Sequence, residues 1–150
     1  MKLSIIIPVF NEEKTIEKVL DKIDTVQLIG GVEKEVVIVN DGSTDRTHDA
    51  VTQFMNNSGS LSIKYFRCDK NSGKGAAVRK GLEHVSGDFV IIQDADLEYA
   101  PEEYNILLKP ILDGFADVVY GSRFIGGRPH RILFFWHSIG NRFLTGVSNF

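Results

Sequence analysis

The sequence predicts an α/β chain built on an open, mostly parallel sheet with helices on both faces, and three observations lead there. Four short apolar runs, residues 3–9, 35–39, 88–93 and 117–120, are rich in β-branched residues and too short for helices. They do not alternate apolar with polar positions, the pattern of strands covered on both sides. Segments of helical periodicity lie between them. The chain has 150 residues, 43% of them hydrophobic and 25% charged. A chain of that size buries roughly two-thirds of its unfolded surface around one core, and the composition excludes disordered and low-complexity classes.

Taken in order, residues 3–9 form the first strand, and Ile16, Val19, Leu20 and Ile23 then share one face of a helix. Residues 35–39 form the second strand, followed by a shorter helix over 47–55 and a weaker strand candidate at 61–66. Val78, Leu82 and Val85 mark the face of a third helix, and residues 88–93 form the next strand. Tyr104, Leu107, Leu108 and Ile111 mark a fourth helix, which Pro110 should end or kink near Lys109 and Gly114 should close. Residues 117–120 are the last strand. The order β-α-β-α-β-α-β-α-β implies right-handed crossovers, and such sheets bind ligands outside the carboxyl ends of their strands.

The lone cysteine, Cys68, permits no internal disulfide, and the four histidines show no metal-ligand spacing, so a reducing, cytoplasmic setting is expected. No stretch approaches the ~20 apolar residues of a membrane span. The net charge of −3 hides an asymmetry: all twenty acids precede residue 121. Residues 121–150 carry four arginines, two histidines, Trp136 and five of the ten phenylalanines. That tail is either a covering helix with solvated arginines or a surface for phosphates or an anionic, lipid-like partner. Trp136, Ile139, Phe143, Val147 and Phe150 keep near-helical spacing to the last residue with no cap, as in a helix cut in the middle.

If ligands meet the strand ends, the residues just after each apolar run carry the chemistry, and they are acidic and polar. Asn11-Glu12-Glu13 follows the first strand, Asn40-Asp41-Gly42-Ser43-Thr44-Asp45 the second, and Asp94-Ala95-Asp96-Leu97-Glu98 the run at 88–93. Neither a dinucleotide fingerprint nor a P-loop is present. Gly73-Lys74-Gly75 opens a helix and suits either a phosphate or a plain cap. In an extended chain Asp94, Asp96 and Glu98 would point the same way. Two carboxylates ~4 Å apart repel by about 4 kcal/mol at an effective dielectric of 20, so the trio calls for a cation. Ligands that are all oxygen select Mg²⁺ or Mn²⁺. Asp41 can accept hydrogen bonds from a base or ribose, although the Asp41 to Asp45 stretch equally suits an Asx turn and helix N-cap, with Asp45 as the cap. Phe10 offers either an aromatic face or core packing.

Pro8-Val9-Phe10-Asn11-Glu12, Asn40-Asp41-Gly42-Ser43-Thr44-Asp45, Gly73-Lys74-Gly75-Ala76, Gln93-Asp94-Ala95-Asp96 and Gly121-Ser122-Arg123-Phe124, in that order and spacing, resemble the family 2 inverting glycosyltransferases of the GT-A fold. Within them the likeness is greatest to the dolichol-phosphate mannose synthase and polyprenyl-phosphate glycosyltransferase branch, and it covers essentially the whole chain. The resemblance implies that Pro8, Phe10, Glu12, Val39 and Asp41 line a nucleoside pocket with Asp94 and Ala95 beneath it, and that Lys74 belongs to the donor site. It also implies that Asp96 and Glu98 hold the divalent metal with Asp94, and that Arg123 contacts phosphate. Phe10 stands where Tyr is common and Glu98 where Gln is common, which removes a hydroxyl and adds a charge.

The implied activity is metal-dependent hexosyl transfer from GDP-mannose or a UDP-sugar, with Asp96 and Arg123 stabilising the leaving diphosphate. The acceptor is expected to be a polyprenyl or dolichyl phosphate, whose anionic oxygen needs no general base; no acid follows Asp117 to serve a sugar hydroxyl. Residues 1–120 are then the nucleotide-sugar core and 121–150 the start of an acceptor-side region of a longer enzyme, working in the cytoplasm or at the cytoplasmic face of a membrane. A membrane surface is a candidate partner and nucleic acid is not. The alternatives are a family 2 transferase acting on a saccharide hydroxyl and a non-catalytic nucleotide-binding domain. A nucleotidyltransferase would carry a Gly-rich, basic signature after the first strand, and an Asp-nucleophile phosphatase would carry its D-x-D there.

Overall fold

The computed structural model describes residues 1–57 and 61–121. Four parallel strands, β1 (Lys2–Val9), β2 (Glu33–Asn40), β3 (Ser62–Arg67) and β4 (Phe89–Ile92), form one sheet in the order β3-β2-β1-β4. The helices between and after them are α1 (Ile16–Thr25), α2 (Thr47–Asn57), α3 (Lys74–Leu82) and α4 (Tyr104–Leu112). The weaker strand candidate is thus β3, at the edge of the sheet beside β2.

The two faces of the sheet bury different sets of residues, as strand alternation requires. Ile5, Ile7, Val36 and Ile38 pack with Ile16, Val19, Leu20 and Ile23 of α1, Val51 of α2, and Tyr104 and Leu108 of α4. Ile6, Val37 and Val39 face the other way, against Ala77 of α3. Both faces are therefore covered by helices, and the central strands are continuous apolar runs for that reason.

Three local expectations change. The buried face of α3 is Ala77 and Gly81; of the three residues expected there, Leu82 is half exposed, and Val85 lies beyond the helix end, where it does pack against the cluster of Ile6, Val37 and Val39. A Cβ on Gly81 would lie 2.6 Å from Ile6 Cγ2, so α3 sits so near β1 that only small side chains fit between them. Pro110 lies inside α4, which continues to Leu112 before Gly114 closes it at φ +76°, its N–H donating to Ile111 O. Residues 117–120 form no strand, and Val118 and Tyr120 are exposed. Among the described residues the run has no pairing partner, and an isolated run gains nothing from extension. The helix expected over residues 133–150 lies outside the described residues.

Candidate functional site

A parallel sheet delivers the carboxyl ends of all its strands to one edge. The connections leave β1 toward β2 and return to β4 on its opposite side, so the switch point lies between β1 and β4. The segments after β1, β2, β3 and β4 meet along this edge, and a hydrogen-bond lattice fixes the first three to one another.

Asn11 adopts a left-handed φ of 58°, and its Oδ1 accepts from Thr44 N–H at 2.8 Å. Its own N–H donates to Ser43 Oγ at 3.0 Å, and Glu12 N–H donates to Thr47 Oγ1 at 2.8 Å. Glu13 closes the seam from the other side, its Oε2 accepting from Arg46 N–H at 3.0 Å. Asp45 caps α2 by accepting from Thr47 N–H at 3.0 Å and also accepts from Glu13 N–H at 3.2 Å. Burial opposes ionisation of Asp45, but the bonds from Thr47 and Glu13 outweigh it and hold the carboxyl below its ordinary range. Asn40, fully buried, accepts from Ser43 N–H at 2.9 Å and donates to Tyr65 Oη at 2.9 Å.

Asp41 anchors the segment between β3 and α3. Its side chain is buried, and both carboxylate oxygens accept from Ser72 N–H at 3.0 Å while Oδ2 also accepts from Gly73 N–H at 2.7 Å. The carboxylate expected to meet a base or ribose is thus bonded to the protein's own backbone. The two segments also touch at Gly42, φ +72°, where a Cβ would stand 2.6 Å from the Lys70 carbonyl carbon. Lys74, the first residue of α3, reaches across to Asp94 at 2.6 Å, tying the Gly73-Lys74-Gly75 helix start to the segment after β4.

That last segment is a turn, which revises the convergence expected for Asp94, Asp96 and Glu98. β4 ends at Ile92, and pairing to β1 stops at Gln93, whose N–H donates to Ile6 O at 2.9 Å. Leu97 then takes a left-handed φ of 64°, and Asp96 Oδ1 accepts from Glu98 N–H at 3.0 Å. Strand alternation does not survive a reversal of this kind, and among the described residues no three of His, Cys, Asp and Glu gather as a metal-binding group. Asp96 remains exposed and Asp94 partly so, two oxygen donors on one turn, with Asp94 shared with Lys74. The donor chemistry fits a hard divalent cation that takes its other ligands from a bound diphosphate or water.

The other expected residues divide. Phe10 leaves β1 with 43% of its surface exposed, at the switch point and free to stack. Pro8 is half-buried at the end of β1. Glu12 accepts from the Thr15 hydroxyl, and its carbonyl takes the first N–H bonds of α1. Val39 is wholly buried against Ala77, so its side chain belongs to the core and not to a pocket wall. Ala95 is buried in the opposite cluster, under the acidic turn. Arg123 lies outside the described residues. An apolar recess of about 430 Å³ lined by Ile29, Ile106, Pro110 and Phe115 shares no residue with this edge.

Several residues that shape the edge received no role there from the sequence, although their segments were named: Asn11, Ser43, Thr47, Gln93 and Tyr104. The signal for the first three was present, since Asn, Ser and Thr between apolar runs bond to nearby backbone. Gln93 offered only its place before the acidic turn.

Comparison with known proteins places this geometry among relatives. The family model of glycosyl transferase family 2 matches residues 4–141. A dolichol-phosphate mannosyltransferase of Pyrococcus furiosus is 35% identical over 127 residues, which make up 85% of this chain and 34% of that protein. Among solved structures, a mannosyltransferase of Pyrobaculum calidifontis in complex with GDP-Man and Mn²⁺ superposes with a TM-score of 0.58 at 33% identity, over 63% of this chain and 27% of that one. TarS of S. aureus, residues 1–349 with UDP-GlcNAc, superposes with a TM-score of 0.64 at 32% identity, over 76% of this chain and 32% of that one. The chain spans about a third of the length of the curated relative it matches. The expected GT-A type of α/β fold is borne out.

Proposed function

This chain belongs to glycosyl transferase family 2, and from that premise we propose that it is the donor-binding part of an inverting hexosyltransferase. The donor is a nucleotide-diphosphate sugar, GDP-mannose or a UDP-sugar, and the acceptor a polyprenyl or dolichyl phosphate. The observation that carries the reading is the 2.6 Å contact between Lys74 and Asp94, which joins a glycine-flanked helix start to an acidic turn at the switch point of the sheet. A diphosphate needs both halves of that pair: a cationic helix start for its oxygens and carboxylates for its counter-ion.

Phe10 presents its ring for the base, and the lattice from Asn11 to Thr47 holds that ring in place. Asp41 acts from below by shaping the segment that carries Gly73 and Lys74. The acidic turn would hold Mg²⁺ or Mn²⁺, Asp96 foremost because Asp94 is already shared, with Glu98 adding charge alongside. When bound, such an ion supplies Lewis-acid stabilisation of the charge that develops on the leaving diphosphate. Lys74 and Arg123 add cationic charge to the same leaving group. An acceptor phosphate oxygen is already anionic, so no residue is required to remove a proton. Residues 1–120 then form the donor core and 121–150 begin the acceptor side, whose arginines and aromatics suit an anionic amphiphile. Among the described residues no helix is long and apolar enough to cross a membrane. A lipid-phosphate acceptor is what would bring this portion, working in the cytoplasm, to the cytoplasmic face of a membrane.

The test incubates the full-length protein with Mn²⁺, labelled GDP-mannose or UDP-sugars and polyprenyl phosphate. A chloroform-soluble labelled product is expected. Transfer to a water-soluble saccharide instead, or nucleotide binding with no transfer and no Mn²⁺ requirement, overturns the proposal.

A further inference from the structure

We infer that Gln93 and Tyr104 are positioning residues that set the shape of the acidic turn; the inference rests on the reading of that turn as a metal site. Gln93 is fully buried, and both hydrogens of its side-chain amide are spent on the turn. Nε2 donates to Asp94 O at 2.9 Å, where the turn begins, and to Tyr99 O at 3.2 Å, where it ends. Its Oε1 accepts from Tyr104 Oη at 2.7 Å, and Tyr104 is itself buried in the first turn of α4.

The chemistry fixes the direction of each bond. Two carbonyl oxygens accept only from the NH₂ end of the amide, so the oxygen end must face the Tyr104 hydroxyl, which donates. The Gln93 backbone is locked in register by its bond to Ile6 O. The side chain is therefore the part that reaches from the sheet to both ends of a turn in which Leu97 is left-handed and Asp96 faces solvent. An apolar residue of equal length would fill the same space but withdraw the two N–H groups that Asp94 O and Tyr99 O accept from Gln93. Without the Tyr104 hydroxyl, the amide keeps its bonds to the turn, but its buried oxygen loses the donor that fixes the side chain from the other end, and the hold on the turn loosens. The relative placement of Asp94 and Asp96, and so the fit to a cation, depends on the pair.

The experiment uses the full-length protein and three variants, Gln93→Met, Tyr104→Phe and the double substitution. Mn²⁺ alone is titrated by electron paramagnetic resonance, and amide hydrogen exchange is read at residues 94–99. Each single variant is expected to keep the exchange protection of β1 and β2, to lose about tenfold in Mn²⁺ affinity, and to exchange faster at Glu98, whose N–H is held by Asp96. The double variant is expected to be no worse than Gln93→Met, because the two residues act in series. Unchanged Mn²⁺ affinity and exchange in a folded Gln93→Met protein, or additive losses in the double variant, overturn the inference. Failure of the unsubstituted protein to bind Mn²⁺ sinks the metal reading instead. The exchange measurement then decides the clamp alone: faster exchange at 94–99 in both single variants upholds it, and unchanged exchange overturns it.

Discussion

Substitution of Asp41 by Asn separates two roles that a carboxylate at the end of β2 can play. In the structure it accepts three contacts from two backbone amides, Ser72 N–H at 3.0 and 3.0 Å and Gly73 N–H at 2.7 Å. Asn can turn its oxygen toward Gly73, where it still serves both amides, but its NH₂ group then stands 3.0 Å from the Ser72 donor. A hydrogen bond to a charged group contributes roughly 1.5–3 kcal/mol, and a neutral one about half of that. Two such losses and one donor–donor contact sum to about 3 kcal/mol. Ser72 is at the surface, where water repairs part of the damage, so about 2 kcal/mol is expected. Urea unfolding of the two proteins reads that difference, and calorimetry with GDP or UDP reads nucleotide binding. The expected result is a loss of stability together with nucleotide affinity weakened through the displaced Lys74 segment. Full retention of stability with complete loss of nucleotide binding would refute the reasoning, because it would make Asp41 a contact for the ligand and not a strut for the loop.

Three further outcomes follow from the same bonds and contacts. Glu35, buried at the opposite edge of the sheet, is opposed by burial, but bonds from Ser4, Ser86 and Lys64 bring its pKa to about 2 from an ordinary 4.5. The gap is worth about 3 kcal/mol, present above pH ~4.5 and lost as pH falls toward 2. Unfolding free energy of Glu35→Gln should therefore be lower by about 2–3 kcal/mol at pH 7 and should change less than that of the unsubstituted protein between pH 5 and 2.5. Gly81→Ala should lower stability by about 1–2 kcal/mol in thermal unfolding, since the new methyl at 2.6 Å from Ile6 outweighs the better helix propensity of Ala. Asp94→Asn breaks only a solvent-exposed pair and should change stability by less than about 1 kcal/mol, yet abolish Mn²⁺-dependent transfer, as removal of the metal with EDTA should.

How far the fold was legible depends on whether a residue's size matched its burial. Ile16, Val19, Leu20 and Ile23 are large and buried, and their i, i+3, i+4, i+7 spacing identified the α1 face without error. α3 inverted that logic: its contact face is Ala77 and Gly81, because the helix lies too near Ile6 for anything larger. A pattern reader weighted by side-chain size passes over both and follows Leu82, which is half exposed, while Val85 reaches the same cluster only from beyond the helix end. Residues 117–120 show the complementary limit. β-Branched composition states that a segment can be a strand, whereas pairing decides whether it is one.

At the site, residue types were legible before their geometry was. The family resemblance added Lys74, and the strand-end rule identified Phe10, Asp41, Asp94 and Asp96 because a parallel sheet must deliver those positions to one edge. It did not separate residues facing a ligand from residues holding the edge together, since both tasks favour Asp, Asn, Ser and Thr. Asp41 and Asp96 illustrate the difference: equally acidic and equally close to a strand end, one is buried under three N–H contacts and the other faces solvent. Where each carboxylate points follows from a backbone reversal, at Gly42 in the first case and Leu97 in the second. A left-handed Leu carries no composition signal at all, so the turn that presents Asp96 becomes visible only through what restrains it, the buried amide of Gln93 and the hydroxyl of Tyr104. The acidic pair is the readable half of the site, and its orientation depends on two residues eleven positions apart whose bond no periodicity announces.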